Sequence, residues 1–282
     1  MSHQEYKKNI AFQGKLGAHS HLACKTYFPA AQYFPYENFE DVFAAVDNGE
    51  VNLGVIPIEN SHAGRVSEIH NLLRMTELNI VGEFFLEIKH HLAAPAGSSL
   101  ADITEVYSHP QALMQCSKTL KEHNLRKNSF INTAAAAAYI AEQNEKSKAA
   151  LCSELAAEEH GLEIIKSDCQ DYKNNRTIFI AIAKDIEELP SKSEKKITTL
   201  LFTVRNIPAA IYKALGGFAT NNVNIIKLES YIPGGLSQEA QFFISFQGDT
   251  DSRDVQYALE ELGFYTKKIK LLGVYDQAPE RK

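Results

Sequence analysis

Residues 53–58 constrain the fold more than any other stretch. They form an apolar run of strand length with Pro57 near its end, followed at once by Glu59-Asn60-Ser61 and then Gly64. A short continuous apolar run bounded by turn residues fits a strand buried within a sheet, with proline confined to its margin. A helical pattern begins near Val66. In open α/β sheets, ligands bind just beyond the carboxyl ends of the strands. Glu59, Asn60 and Ser61, with Gly64 as a hinge, are therefore suited to hydrogen-bonding a small polar molecule. An Asx-type turn with a helix cap fits the same residues.

The alternation of apolar runs and helical patterns continues along the chain. Residues 9–13 read as a strand, and Gly14 and Gly17 allow close backbone approach before a helix over 21–27 with Ser20 as its cap. Residues 39–46 carry apolar side chains at helical spacing and belong to the core. After a helix over 66–75, residues 79–93 form one long extended run, expected to cross from one lobe to another between 84 and 93. A strand at 105–108 leads to His109 as cap and Pro110 in the first turn of a helix reaching His123. Thr133 is expected to cap the helix of Ala134 to Ala138, whose small side chains permit tight packing and whose amide end suits a carboxylate. Strands at 148–152 and 163–165 flank a helix at 153–160, and a strand at 177–183 returns to the first lobe.

With 282 residues, two domains are expected. A net charge of −6 without a basic block argues against nucleic acid or an anionic membrane as partner. The first eight residues lack a signal-peptide core and no run reaches membrane-span length, so the expected location is cytoplasmic. Cys24, Cys116, Cys152 and Cys169 are scattered and read as reduced, with Cys116 and Cys152 as packing residues. No histidine pair has zinc-ligand spacing with further partners, so no metal is expected. Charged residues with Pro190 and flanking serines mark a linker over 185–196. Beyond it the order is strand, helix, strand, strand, helix, strand: 197–204, 208–222, 223–232, 239–247, 251–262 and 264–275, with a turn at Pro233-Gly234-Gly235. That is the split ferredoxin-like plan.

Five stretches carry a resemblance that covers nearly the whole chain. Pro57-Ile58-Glu59-Asn60-Ser61-His62-Ala63-Gly64 resembles the Pro-x-Glu-Asn-Ser-x-x-Gly signature of prephenate dehydratases and the similar arogenate dehydratases. Gly14, Gly17, Ala18 and Ser20 match the family's glycine loop, with Lys15 in place of proline. His109-Pro110-Gln111 matches its His-Pro-Gln motif, and Thr133-Ala134 with the alanines that follow matches its Thr-Ala-x-Ala-Ala stretch. Asn175, Thr177 and Phe179 match Asn-x-Thr-Arg-Phe, with Ile178 where arginine belongs. Arg176 projects to the same strand face as Ile178, where it either supplies the guanidinium instead or is simply solvated.

The resemblance implies a two-lobed α/β catalytic domain of the type II periplasmic-binding kind over 9–184 (lobe one 9–83 and 176–184, lobe two 84–175). It implies a βαββαβ ACT regulatory domain over 197–276. The implied activity is decarboxylating dehydration of prephenate to phenylpyruvate in phenylalanine biosynthesis, a lyase reaction that needs no cofactor. Thr177 is the implied hydroxyl donor to the leaving oxygen. Implied substrate contacts are Ser20, Asn60, Ser61, Gly64, His109, Gln111, Thr133, Asn175, Arg176 and Phe179. Phenylalanine is the implied effector, at Pro208, Ala209, Ala210, Ile211, Asn224, Glu229 and Ser230, although Ala209-Ala210-Ile211 replaces Gly-Ala-Leu and Tyr231-Ile232 replaces Arg-Pro. Paired ACT modules imply a homodimer or homotetramer. Arogenate dehydration is the neighbouring alternative. A non-enzymatic amino-acid sensor is the alternative of a different class, in which Ile178 marks lost chemistry.

Overall fold

The computed structural model describes residues 8–186, 189, 193–231 and 240–281. The chain divides into two compact units, Met1–Ile69 with Phe84–Phe179 and His70–Glu83 with Ile180–Lys282. Residues 70–83, expected with the first lobe, thus group with the carboxyl-terminal unit.

The elements run β1 (Asn9–Gln13), α1 (His19–Tyr27), β2 (Gln32–Tyr36), α2 (Phe39–Asp47), β3 (Leu53–Asn60), β4 (Gly64–Arg65), α3 (Ser67–Met75) and β5 (Asn79–Glu87). Then follow β6 (His91–Ala94), β7 (Glu105–Ser108), α4 (Pro110–Gln115), α5 (Ser117–Glu122), β8 (Arg126–Ser129), α6 (Thr133–Gln143), β9 (Lys148–Cys152), α7 (Glu154–Glu159), β10 (Glu163–Lys166) and β11 (Arg176–Ala183). The first sheet has the order β2-β1-β3-β11-β5, with β4 paired to β3; the second has the order β10-β6-β9-β7-β8. β1 pairs in parallel with both β2 and β3, and β7 with both β8 and β9. Parallel strands covered on both faces read as unbroken apolar runs. Leu53, Val55 and Ile56 accordingly have no exposed surface.

Four expectations need correction. Residues 79–93 are not one strand: β5 belongs to the first sheet and β6 to the second. Between them the Ile88 amide donates to the Asn175 carbonyl at 2.7 Å and the His90 amide to Gln170 Oε1 at 3.1 Å. Apolar patterning does not reveal such a change of partner sheet. The helix expected to reach His123 breaks at Cys116, because Asp171 caps a new one: its carboxylate accepts from Ser117 Oγ and from the Lys118 amide, both at 2.9 Å. Ser20 lies inside α1 rather than capping it; His21 Nδ1 accepts the Gly17 N–H at 3.0 Å instead. Asn132, not Thr133, caps α6, accepting from the Ala135 amide at 2.7 Å.

The alanine-rich α6 does pack tightly: Ala134, Ala136 and Ala137 are fully buried against the second sheet's Ala93, Ala150 and Cys152. Gly17 makes a second close approach. Its φ is +84°, and a Cβ there would lie 2.7 Å from Ala156 Cα, while its carbonyl accepts from Ser153 Oγ at 2.7 Å. All four cysteines are buried and unpaired, and burial pushes the Cys152 thiol up to about 12.

The second unit holds β12 (Lys196–Val204), α8 (Ala210–Thr220), β13 (Ile225–Tyr231), β14 (Gln241–Gln247), α9 (Arg253–Tyr265) and β15 (Thr266–Asp276). Its antiparallel sheet has the order β13-β14-β12-β15, which with the element order is the ferredoxin-like plan. Phe202, Phe218, Phe246 and Leu262 centre the core between sheet and helices. The expected turn at 233–235 and part of the expected linker lie outside the described residues. No helix among the described residues is long and apolar enough to cross a membrane.

Candidate active site

The site is built outward from Asn60, at the carboxyl end of β3. Its Oδ1 accepts the amides of His62 and Ala63 at 3.0 and 2.9 Å. Two backbone donors on one oxygen leave the amide a single orientation, so its NH2 faces the other way. Nδ2 donates to Asn175 Oδ1 at 2.8 Å and to Thr177 Oγ1 at 2.9 Å. Asn175 Nδ2 must then donate onward, and does so to Gln115 Oε1 at 3.1 Å. The same oxygen lies 3.1 Å from His90 Nε2, which therefore carries the ring proton. The direction of every hydrogen bond in this chain thus follows from two backbone N–H groups in the 61–63 loop.

Thr177 is the residue this network acts on. Its oxygen receives a hydrogen bond from Asn60, and its own proton meets no acceptor among the described residues. A hydroxyl with one lone pair engaged and its proton uncommitted is set up to donate. Thr177 is 8 % exposed and opens onto a cavity of about 340 Å³, within the range of small-molecule sites.

That cavity gathers most of the residues singled out in the sequence. Ser20, Asn60, Gly64, His109, Gln111, Thr133, Asn175, Thr177 and Phe179 all line it. His109 caps α4, its Nδ1 accepting from the Gln111 amide at 3.3 Å. Ser61 and Arg176 do not line it. Ser61 instead ties the hairpin to β11: its amide donates to the Arg176 carbonyl at 2.8 Å and its Oγ accepts from the Arg176 amide at 3.0 Å. Strand alternation explains why Arg176 is elsewhere. Asn175, Thr177 and Phe179 share the cavity side, while 176 and 178 project to the other. The arginine-to-isoleucine departure at Ile178 therefore falls off the cavity face. A second groove, about 510 Å³ over Ser117–Lys127, contains none of the motif residues.

The sequence reading missed Gln115, His90, Asn132 and Arg65, all of which line the cavity. For Gln115 a signal existed, since it lies four residues after Gln111 and so on the same helical face. His90, one of two adjacent histidines, belongs to no motif that marks it. Burial, with neighbouring His19, lowers its pKa to about 3, and burial also lowers those of His19 and His91. His19 and His90 meet edge to face, with centroids 5.3 Å apart.

In the second unit, Pro208 to Ile211 open α8. Ala209, at its N-cap, is in the left-handed region with φ +59°, the conformation that suits the glycine of the family motif. Asn224 donates to Gln247 Oε1 at 2.9 Å. Glu229 pairs with Lys227 at 3.1 Å and with His70 at 3.8 Å, and Ser230 stands opposite Phe242 in the sheet. Tyr231, where the motif has arginine, hydrogen-bonds through its hydroxyl to His70 Nδ1 and to Glu229.

Fold and cavity together define an α/β small-molecule site, built where strands end and loops carry amide and hydroxyl groups, followed by a ferredoxin-like module. The prephenate dehydratase family model matches residues 10–187, and the chain belongs to that family. It is 40% identical to a bifunctional N-acyl-homoserine lactone acylase/prephenate dehydratase of Komagataeibacter europaeus over 97% of both chains. It is 34% identical to arogenate dehydratase/prephenate dehydratase 2 of Arabidopsis thaliana, covering 94% of this chain and 72% of that one. The crystal structure of a prephenate dehydratase from Arthrobacter aurescens in complex with L-Phe superposes with a TM-score of 0.86 at 28% identity, covering 97% and 91% of the two chains.

Proposed function

We propose that the chain dehydrates and decarboxylates prephenate to phenylpyruvate, and that phenylalanine regulates it. The observation that carries this reading is the Thr177 hydroxyl, hydrogen-bonded by Asn60 and open to the cavity. Prephenate is a dianion with a ring carboxylate, a pyruvyl carboxylate and an allylic hydroxyl. In the reaction the bond to the ring carboxylate breaks and CO2 departs. The electron pair enters the ring, the C–O bond breaks, and the oxygen leaves as water after gaining one proton. Phenylpyruvate, a monoanion, remains. The ring itself is the electron sink, so the protein's tasks are orientation and a hydrogen bond to the departing oxygen, which takes its one proton from solvent. Thr177 serves as a positioned hydrogen-bond donor to the leaving oxygen; a threonine hydroxyl is too weak an acid to give up its proton outright. Holding the substrate away from water destabilises the ring carboxylate's charge and so favours its loss as neutral CO2.

The Arabidopsis relative's name supports arogenate as a second substrate, differing by an ammonium in place of the keto group. The L-Phe complex of the Arthrobacter protein supports phenylalanine as the effector of the ferredoxin-like, ACT-type module. Such modules bind amino acids at paired interfaces, which calls for a homo-oligomer. The decisive experiment assays phenylpyruvate formed from prephenate and phenylalanine formed from arogenate, each with and without added phenylalanine. A third arm with an N-acyl-homoserine lactone tests the other activity named for the Komagataeibacter relative. Turnover of neither prephenate nor arogenate by folded protein refutes the dehydratase reading and leaves an amino-acid sensor.

A further inference from the structure

A dianionic substrate needs a cation, and the family pattern expects one at position 178, where this chain has isoleucine. Neither Ile178 nor Arg176 lines the cavity. Among the described residues that do, Arg65 alone carries a fixed charge. It belongs to β4, the short return strand of the hairpin that β3 begins. Three features set its position. Glu59 stands directly opposite Arg65 in the antiparallel register, which fixes the place of Arg65 on the return strand. Asn60 Oδ1 clamps the intervening loop through the His62 and Ala63 amides. Gly64, at φ +79°, makes the turn that aims the next residue.

Building on the dehydratase reading, we propose that Arg65 binds the carboxylate that prephenate retains, the pyruvyl one. The choice between carboxylates follows from the reaction. The ring carboxylate loses its charge on becoming CO2, and a guanidinium paired with it would stabilise the ground state more than the transition state. The pyruvyl carboxylate keeps its charge throughout, so pairing there binds substrate without opposing the chemistry. A planar guanidinium also offers two parallel donors to a carboxylate. Phenylpyruvate keeps the same carboxylate and must therefore depend on Arg65 as prephenate does.

The test compares wild type with Arg65→Gln and Arg65→Lys, using folded protein judged by circular dichroism. Two quantities are measured: steady-state kinetics on prephenate and calorimetric Kd for phenylpyruvate. Arg65→Gln should raise KM and the phenylpyruvate Kd together, by about ten- to a hundredfold, with kcat changed about threefold or less. Arg65→Lys, with charge but no fork, should fall between. The proposal is overturned if KM and Kd stay within about twofold of wild type, if KM rises while the phenylpyruvate Kd does not, or if kcat alone falls. The calorimetric arm separates this from the broader reading. Wild type that turns over neither substrate yet binds phenylpyruvate through Arg65 refutes dehydration and supports the anion site. Equal binding to wild type and Arg65→Gln, or binding to neither, refutes the site.

Discussion

Replacing Asn60 by aspartate changes one NH2 into an oxygen and almost nothing else in shape. The carboxylate keeps the oxygen that accepts from His62 and Ala63, at 3.0 and 2.9 Å, so the loop retains its clamp. What disappears is the donor to Thr177 Oγ1 at 2.9 Å, to Asn175 Oδ1 at 2.8 Å and to the Arg176 carbonyl at 3.3 Å. An anion there reverses the polarity of the network. Asn175 must turn its NH2 toward residue 60, and the Thr177 proton, no longer directed into the cavity, is donated to the new carboxylate. The new hydrogen bonds offset the old except at the Arg176 carbonyl, which cannot donate in return, so stability should fall by about 1–3 kcal/mol. Catalysis should suffer as when one transition-state donor is removed, about 100- to 1,000-fold in kcat, equivalent to about 3–4 kcal/mol. Asn60→Asp, Thr177→Ala and the double variant should be assayed at saturating prephenate, with urea unfolding of each to confirm the fold. If Asn60 acts through the Thr177 hydroxyl, the double variant should be no slower than Thr177→Ala within about threefold, a coupling of about 3 kcal/mol. Independent, multiplying losses, or an Asn60→Asp kcat within tenfold of wild type, would refute the reasoning.

Three more outcomes follow from the same structure. His90, with its folded pKa near 3 against an ordinary 6.5, takes up no proton as pH falls between those values, whereas the unfolded chain does. Its contribution to stability is therefore full above pH 6.5 and lost on acidification, about 2 kcal/mol by pH 5. Urea unfolding at pH 7.5, 6.5 and 5.5 should show the decline, and His90→Gln should make it shallower, with His19, His21 and His91, also lowered by burial, supplying the rest; an unchanged slope counts against a neutral buried imidazole. Gly17→Ala combines a φ of +84° with a Cβ 2.7 Å from Ala156 Cα and should cost about 2–4 kcal/mol, read as a lowered Tm. Ala209→Gly relieves a left-handed alanine at the expense of a freer unfolded chain, and should stabilise by about 0.5 kcal/mol in urea. A loss of 1 kcal/mol or more would mean that the methyl packs usefully.

Much of this arrangement was legible because its physics is local. The strand of Leu53 to Ile58, the cap at His109 and the order of the last six elements follow from apolar runs, a Pro in the first turn and alternating periods. The junction at Ile88 was not legible, because both of its flanks are apolar and only partner strands distinguish them. The break at Cys116 depends on Asp171, more than fifty residues later, and no propensity near Cys116 signals it. The cap of α6 turned on a choice between neighbours, Asn132 and Thr133, either of which serves chemically. Arg65 escaped notice for a related reason: the site's cation was sought beside Thr177 in sequence, whereas the hairpin supplies one from another strand.

That last miss changes what the isoleucine at 178 means. Read along the sequence, it is a catalytic arginine lost, and so an argument for a sensor. On β11 and the residue before it, however, 175, 177 and 179 line the cavity while 176 and 178 lie on the opposite face. Substitution at 178 therefore leaves the Thr177 hydroxyl, its Asn60 donor and the Asn175–Gln115–His90 chain in place. The groups that orient the hydroxyl take their direction from the amides of the 61–63 loop, and Arg65 follows directly on from that loop. Hydrogen-bonding hydroxyl and proposed anion site thus share one anchor, Asn60. The two functions should therefore fail together when the loop clamp is removed, as in Asn60→Ala, and separately when only Thr177 or only Arg65 is changed.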